Sequence, residues 1–88
     1  MLKLMFYMYV LKSLLDNKLY IGSANNLKRR LVQHNNGNVP STAPRSPFEL
    51  VYYEAYKIEG EARGRESRLK QRGQAFRHLK TRIDKSLN

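Results

Sequence analysis

The chain has 88 residues, which predicts a single domain over residues 1–88 with a modest hydrophobic core. It carries 17 basic and 7 acidic side chains, for a formal net charge of +10, and no cysteine. The missing cysteines exclude disulfides and thiolate metal sites, and they are compatible with a cytoplasmic location. The excess of positive charge predicts nucleic acid as the partner, in preference to a membrane surface or a merely solvated exterior.

The amino-terminal segment, residues 1–15, is apolar but holds two lysines and two tyrosines. It lacks the small-residue cleavage site of a signal peptide, and its aromatic and β-branched residues predict a buried strand at residues 5–12. No run in the sequence reaches the ~18–20 apolar residues of a membrane-spanning helix. We therefore expect no membrane partner.

A turn signal at residues 16–17 separates this strand from a second one, predicted at residues 18–23. Because the connection is short, the two strands are expected to pair antiparallel. Side chains alternate along a strand, so Tyr7 and Tyr9 share one face, on which Tyr9 and Tyr20 can lie side by side. Without a further role, these tyrosines would be core aromatics of the hairpin.

The remaining predicted elements are a helix from Leu27 to near Asn36-Gly37, a proline-rich loop at 38–47, a strand at 48–57, and helices at 59–72 and 74–86. The first helix is expected to take its N-cap from Asn25 or Asn26. The second is weakened by up to ~1 kcal/mol for each of Gly60 and Gly64. The order is strand, strand, helix, strand, helix, helix, which predicts an α+β fold.

The first helix carries an unusual arginine. With ~100° per residue, its leucines define the buried stripe. Arg30 and His34 lie four residues apart at the edge of that stripe, whereas Arg29 points nearly opposite. A half-buried guanidinium requires an anion, which is either a structural carboxylate such as Glu66 or a bound phosphate. His34, taken alone, is better explained by helix packing than by catalysis.

Glu66 is the acidic side chain that the helical pattern places among apolar neighbours. The predicted inward stripe of its helix is formed by Ala62, Leu69 and Gly73. A carboxylate at such a position is costly unless it meets a cation. The sequence leaves two partners open: a metal ion, or a salt bridge to Arg30 or Arg65. One such carboxylate suits a single hydrated Mg²⁺ better than a two-metal site.

These residues occur in a recognisable order. The pattern consists of Tyr7-Met8-Tyr9, Tyr20-Ile21-Gly22, Arg30 and His34 on one helix, and Glu66 on a later one. It resembles the GIY-YIG nuclease superfamily, and its small standalone members in particular, over roughly residues 5–72. The chain departs from the first motif, because Tyr7 stands in place of glycine and Met8 in place of isoleucine. Small members often have tyrosine-x-tyrosine there, so Tyr9 still matches.

The resemblance implies the fold and a set of roles. The fold would be a three-stranded antiparallel sheet flanked by helices. Arg30 would clamp the scissile phosphate, and Glu66 would bind Mg²⁺ (or Mn²⁺). His34 would contact a phosphate or the nucleophilic water. One of Tyr9 and Tyr20 would act as general base and the other would contact phosphate or water, in an order that the sequence leaves open.

The function predicted from these roles is Mg²⁺-dependent hydrolysis of phosphodiester bonds in DNA, in repair or recombination. Two rivals remain: a nucleic-acid-binding module with the same fold and little catalysis, and a nuclease subunit recruited by a protein partner. Lys12, Ser23 and Lys70 are candidate second contacts to substrate. The structure of the substrate, the choice between DNA and RNA, and the oligomeric state are left open by the sequence.

Overall fold

The computed structural model describes residues 4–88, so the first three residues of the amino-terminal segment lie outside the described part. The strands are β1 (Phe6–Ser13), β2 (Leu19–Ala24) and β3 (Phe48–Tyr56). The helices are α1 (Leu27–Asn35), α2 (Glu59–Lys70) and α3 (Gln74–Arg82), with short 3₁₀ turns at Ala43–Arg45 and Asp84–Leu87. None of the helices in residues 4–88 has the length and apolar character needed to cross a membrane.

The three strands form one antiparallel sheet in the order β2-β1-β3, which confirms the predicted α+β architecture. The first strand lies in the middle, so its residues pair on both sides. Tyr9 faces Gly22 on β2 and Tyr53 on β3. The β1–β3 register shifts between Val10 and Leu11, which marks a local irregularity in the ladder.

Alternation along β1 divides the hydrophobic core between the two faces of the sheet. Met8 and Val10 belong to one cluster, which is completed by Ile21, Leu69, Phe76, Leu79 and Ile83 from β2, α2, α3 and the segment after α3. Tyr9 and Leu11 point to the other face and pack with Phe48, Tyr20, Leu27 and Leu31. The strand is therefore buried on both sides, as its continuous apolar run predicts.

Two helix boundaries follow from local chemistry. The N-cap of α1 is Asn26, whose Oδ1 accepts a hydrogen bond from Arg29 N at 3.0 Å. The second helix ends at Lys70, two residues earlier than predicted. Gly73 is consequently not part of its inward stripe, contrary to the sequence-based expectation; it is the N-cap of α3.

The proline-rich loop between α1 and β3 is tied to the sheet. Ser13 Oγ donates to Arg45 O at 2.6 Å, and Leu14 N donates to Pro47 O at 2.8 Å. Asn35, the last residue of α1, bonds both backbone groups of Phe48, at 2.6 and 3.2 Å. These contacts hold the loop against the face of the sheet that α1 covers. They bury Thr42, a residue for which the sequence predicts no role.

Candidate active site

A chain of three buried polar groups connects β1, α1 and the proline-rich loop. The Tyr9 hydroxyl lies 2.8 Å from His34 Nε2, and His34 Nδ1 lies 2.7 Å from Thr42 Oγ1. Tyr9 is 1% exposed, and His34 and Thr42 are 0% exposed. Since water does not reach these atoms, each depends on the next for its hydrogen bond.

The hydrogen bond made by the threonine determines how the protons are arranged. Thr42 Oγ1 donates its hydrogen to Val39 O at 3.3 Å, so towards His34 it acts as acceptor. His34 then carries its proton on Nδ1, and its Nε2 lone pair accepts the hydrogen of the Tyr9 hydroxyl. The phenol proton of Tyr9 is directed at His34, which leaves the oxygen lone pairs for another donor, and the Arg30 side chain lies close to them.

Both central groups are neutral at pH 7. Burial raises the pKa of Tyr9 to about 12, although the nearby Arg30 guanidinium opposes this and the Tyr20 and Glu66 side chains add to it. Burial also lowers the pKa of His34 to about 4, helped by the positive charge of Arg30. A tyrosinate or an imidazolium therefore does not form at rest.

Aromatic rings and one glycine hold Tyr9 in place. The His34 ring meets the rings of Tyr20 and Phe48 edge to face, with centroids 5.2 and 5.8 Å apart. Tyr9 and Tyr20 lie side by side with ring centroids 6.5 Å apart, as the sequence predicts. Gly22 packs directly against Tyr9, because a Cβ built on this glycine would lie 2.5 Å from the Tyr9 Oη. The glycine of the second motif thus makes room for the phenol.

Arg30 is half-buried on α1, whereas Arg29 is exposed, as the helical wheel predicts. Its Nη1 donates to Gln33 Oε1 at 3.2 Å. Within residues 4–88 it forms no ion pair, so the structural pairing with Glu66 left open by the sequence does not occur. The positive charge of Arg30 acts on Tyr9 and His34. It lowers the pKa of His34 further and partly offsets the rise that burial causes in the pKa of Tyr9. The guanidinium is therefore free to bind an anion beside Tyr9.

Glu66 is partly buried on α2 and faces β2. Its Oε1 accepts from Ser23 Oγ at 2.6 Å, and its Oε2 lies 2.6 Å from Lys70 Nζ. The alternative salt bridge to Arg65 is wrong, because Arg65 binds Glu54 at 3.0 Å instead. The Glu66 side chain is 19% exposed and that of Lys70 is 49% exposed. The lysine is an exposed i,i+4 partner that can swing into solvent and release the carboxylate.

The residues present fit a hard divalent cation held mainly through water. Among the described residues, no cluster of three or more histidine, aspartate, glutamate or cysteine side chains could enclose a metal. Glu66 supplies one carboxylate, whose partners are the Ser23 hydroxyl and the exposed Lys70 ammonium. Mg²⁺ keeps several of its waters and needs only one or two carboxylates, so this donor set suits it.

An open cleft of about 390 Å³ runs beside these groups. Arg30 and Ser23, the partner of Glu66, line it, together with Asn26, Arg29, Gln33 and Arg63. Tyr9 and His34 do not line the cleft, because they are buried. Of the five candidate residues predicted to share one concave surface, only Arg30 lines this cleft; Glu66 contacts it through Ser23, and Tyr20 is not part of its lining. His34 bonds Tyr9 and Thr42, so direct contact of this imidazole with a phosphate or water, expected from the sequence, is not what the structure shows.

Sequence reasoning missed Thr42 and Gln33. Thr42 lies in a proline-rich loop with no periodicity, and nothing in the sequence connects it to a histidine eight residues earlier. Gln33 precedes that histidine on α1, and its role depends on where the Arg30 side chain turns. Ser23 was singled out only as a candidate substrate contact, whereas the structure places its hydroxyl on Glu66.

The lowered pKa of His34 predicts a stability loss in mild acid. The unfolded imidazole binds a proton below its usual pKa of 6.5, whereas folded His34 resists protonation down to about 4. The free energy of unfolding should therefore fall by ~1–3 kcal/mol between these pH values. The carboxyl groups of Glu54 and Asp16 also have lowered pKa values, but these affect stability only below pH 4.5 and pH 3.8, the ordinary pKa values of the two groups. Urea titrations from pH 7.5 to 4.5 measure the effect.

The same titration of His34→Gln and of His78→Gln provides the control. His78 is an exposed histidine on α3, so its replacement should leave the slope of stability against pH unchanged. His34→Gln should flatten that slope, whatever its effect on absolute stability. Equal slopes for the parent and His34→Gln would contradict a buried neutral imidazole.

Comparison with known proteins gives a consistent result. The family model described as GIY-YIG catalytic domain matches residues 5–82. A UPF0213 protein of Clostridium perfringens is 43% identical over 65 residues, which cover 73% of this chain and 69% of that protein. A UPF0213 protein of Bacillus pumilus is also 43% identical over 65 residues, which cover 73% of this chain and 65% of that protein, slightly under two thirds.

A third relative, a UPF0213 protein of Streptococcus agalactiae, is 41% identical over 73 residues, which cover 82% of both chains. No solved structure gives a significant match. The GIY-YIG domain implies nuclease-type activity on nucleic acid, in agreement with an arginine that lines the cleft and has no ion-pair partner within residues 4–88. Since the family model spans nearly the whole chain, this protein belongs to the GIY-YIG family.

Proposed function

We propose that this protein hydrolyses phosphodiester bonds in DNA with the help of Mg²⁺, as a small endonuclease. The observation that carries the proposal is Arg30. A partly buried guanidinium with no carboxylate partner in the described part of the chain lines an open cleft, next to a neutral tyrosine. Such a cation costs stability unless an anion occupies the cleft, and a phosphate matches its forked donors.

In this proposal, Arg30 binds the scissile phosphate and stabilises the charge that its oxygens gain in the transition state. Its Nη1 is oriented by Gln33, which leaves its other nitrogens for substrate. Removing one such preorganised donor typically lowers kcat by ~10²–10³-fold. Arg29 also lines the cleft and would add a phosphate contact outside the reacting bond, whereas Arg63 is paired there with Glu59 at 3.2 Å.

Tyr9 and His34 would handle the water as a unit. The Tyr9 oxygen has its own hydrogen directed at His34 Nε2, so it would accept a hydrogen bond from the attacking water once substrate binding admits that water to this buried oxygen. When that water loses a proton to Tyr9 Oη, the tyrosine hydrogen passes to His34 Nε2, and no tyrosinate has to exist beforehand. Thr42 holds the imidazole in the tautomer that this transfer needs. Tyr20 contacts the phosphate or the water from the other side.

Glu66 would hold the metal. Its Oε1 keeps the Ser23 hydrogen bond while Oε2 exchanges Lys70 for the cation. Bound there, Mg²⁺ would neutralise charge on the phosphate and on the leaving oxygen. Lys70, whose Nζ also lies 5.8 Å from the centre of the Tyr20 ring, would be free after this exchange to contact a neighbouring phosphate.

A cleavage panel tests the proposal. Branched, nicked, single-stranded and duplex DNA, with RNA of the same sequence, are incubated with Mg²⁺, Mn²⁺ or EDTA. We expect cleavage of at least one DNA substrate that depends on the metal and is lost in Arg30→Gln. Arg29→Gln is the matched control, because the exposed neighbour should weaken binding without removing turnover.

The rival functions give different results in the same panel. A binding module would bind DNA with no metal dependence and would cut nothing. A recruited subunit would cut only after a protein partner is added. Cleavage of RNA but not DNA would keep the active site and change the substrate class. Metal-dependent cleavage that survives Arg30→Gln would overturn the role given to this arginine.

A further inference from the structure

A second pocket, of about 550 Å³, lies at the end of the β1–β2 hairpin, away from the cleft that Arg30 lines. Five cations line it: Lys12, Lys18, Arg45, Arg72 and Lys80. Among residues 4–88 no acidic side chain does so, although Asp16 lies beside the pocket and pairs with Arg45 at 3.0 Å. So many like charges around one concavity repel one another unless an anion binds there.

Two of these cations lie over one aromatic ring, although both side chains are exposed to solvent. The Arg72 guanidinium lies 4.3 Å from the centre of the Phe76 ring, and Lys80 Nζ lies 5.5 Å from it. Lys12 also lines the pocket, and its Nζ donates a hydrogen bond to Leu87 O at 2.7 Å. The pocket therefore presents prearranged donors, which lowers the entropy cost of binding an anion.

Backbone strain and an unpaired donor occur at the same place. Arg72 follows α2 with φ of 58°, a conformation that glycine adopts most easily after a helix. Arg45 Nη2 is buried without a hydrogen-bond partner in the described part of the chain. Both features cost stability, and the second becomes less costly when a negative charge enters the pocket.

We infer that this second pocket binds a backbone phosphate of the nucleic acid, a few nucleotides from the bond that is cut. This inference rests on the proposed function. The edge strand β2 joins the two sites: Leu19 lines the pocket, and Ser23, four residues on, binds Glu66. At ~3.3 Å per residue the sites are ~13 Å apart, which is about four nucleotides along the axis of a duplex at ~3.4 Å each and fewer along an extended single strand.

Charge-neutral variants at the rim test the pocket without disturbing the fold. Lys18 and Lys80 are exposed, and no hydrogen bond of either ammonium is found in residues 4–88. The double variant Lys18→Gln/Lys80→Gln is compared with Lys57→Gln/Lys85→Gln, which removes the same charge from exposed positions outside the pocket. Binding of labelled single-stranded DNA of increasing length is measured in EDTA, where nothing is cut.

For each phosphate that it no longer neutralises, the rim variant should bind long oligonucleotides about fivefold more weakly at ~0.1 M salt, and its log–log salt slope should fall by ~0.7. Oligonucleotides too short to span both sites should bind it like the parent. The control variant should show no such dependence on length. Equal weakening of rim and control variants at every length would overturn the second site and leave only a general charge effect.

Arg72→Gly separates binding from folding. It removes a cation of the pocket and relieves the left-handed strain together, so its melting temperature should stay within a few degrees of the parent while affinity for long DNA falls. Unchanged affinity would overturn the pocket. Because these measurements are made without metal, they hold or fail independently of turnover. Where cleavage occurs, the rim variant should raise KM and leave kcat unchanged.

Discussion

Glu66→Gln is expected to lower Mg²⁺-dependent cleavage by at least ~10³-fold while leaving DNA binding intact or improved. The amide keeps the shape of the side chain and can still accept the Ser23 hydrogen bond, but it cannot neutralise a divalent cation. The free energy of unfolding should change little. Within residues 4–88, the charge partner of Glu66 is Lys70, an exposed i,i+4 lysine whose pairing contributes ~0.5 kcal/mol or less. Paired melting and cleavage assays measure both effects.

Glu54→Gln is the matched control for this experiment. Glu54 is about as buried as Glu66, with side chains 18% and 19% exposed. Its carboxylate accepts from two tyrosines and from Arg65, which ties α2 to β3. Here stability should fall by ~1–3 kcal/mol, since a partly buried arginine loses its anion, while the folded fraction still cuts. A stable Glu66→Gln protein that cuts as fast as the parent would remove this glutamate from catalysis and favour the binding-module function.

Gly22→Ala is expected to have the second large effect. The new Cβ would lie 2.5 Å from the Tyr9 Oη and 2.6 Å from Cζ, distances that real Cβ atoms do not tolerate. Tyr9 is 1% exposed, so its ring has no space to move into. The phenol must leave His34, and we expect cleavage to fall ~10²-fold or more with a stability loss of ~1–3 kcal/mol. Urea unfolding and cleavage rates per folded molecule measure the two effects.

The same substitution at Gly64 provides the control. Gly64 lies inside α2, and a Cβ there would meet only the end of the Arg68 side chain, at an ordinary 3.5 Å. Gly64→Ala should therefore raise stability by up to ~1 kcal/mol, since alanine is the better helix former, and leave cleavage unchanged. A Gly22→Ala protein with the stability and activity of the parent would show that Tyr9 does not depend on its place beside His34.

The relative positions of residues close together in sequence could be predicted, because the geometry of a helix or a strand fixes them. A helix places residues four apart on one side, so the sequence pairs Arg30 with His34 and rejects Arg29. The N-cap at Asn26 follows from the chemistry of one side chain. The predicted end of α2 was wrong because Arg72, the residue that stops the helix, adopts a left-handed conformation. This conformation is typical of glycine, so an arginine in the sequence does not indicate it.

The sequence by itself determined the charge of the protein, the order of its strands and helices, and the candidate residues, since periodicity and composition are local properties. Only the tertiary structure decided how those residues are partnered. Glu66 pairs with Lys70 because Arg65 is occupied by a glutamate on β3. His34 is a buried partner of Tyr9 because the proline-rich loop folds back on α1 and places Thr42 Oγ1 next to the other ring nitrogen of His34. The Tyr9–His34 hydrogen bond and the Arg65–Glu54 ion pair join different elements of the fold, so no local pattern encodes them.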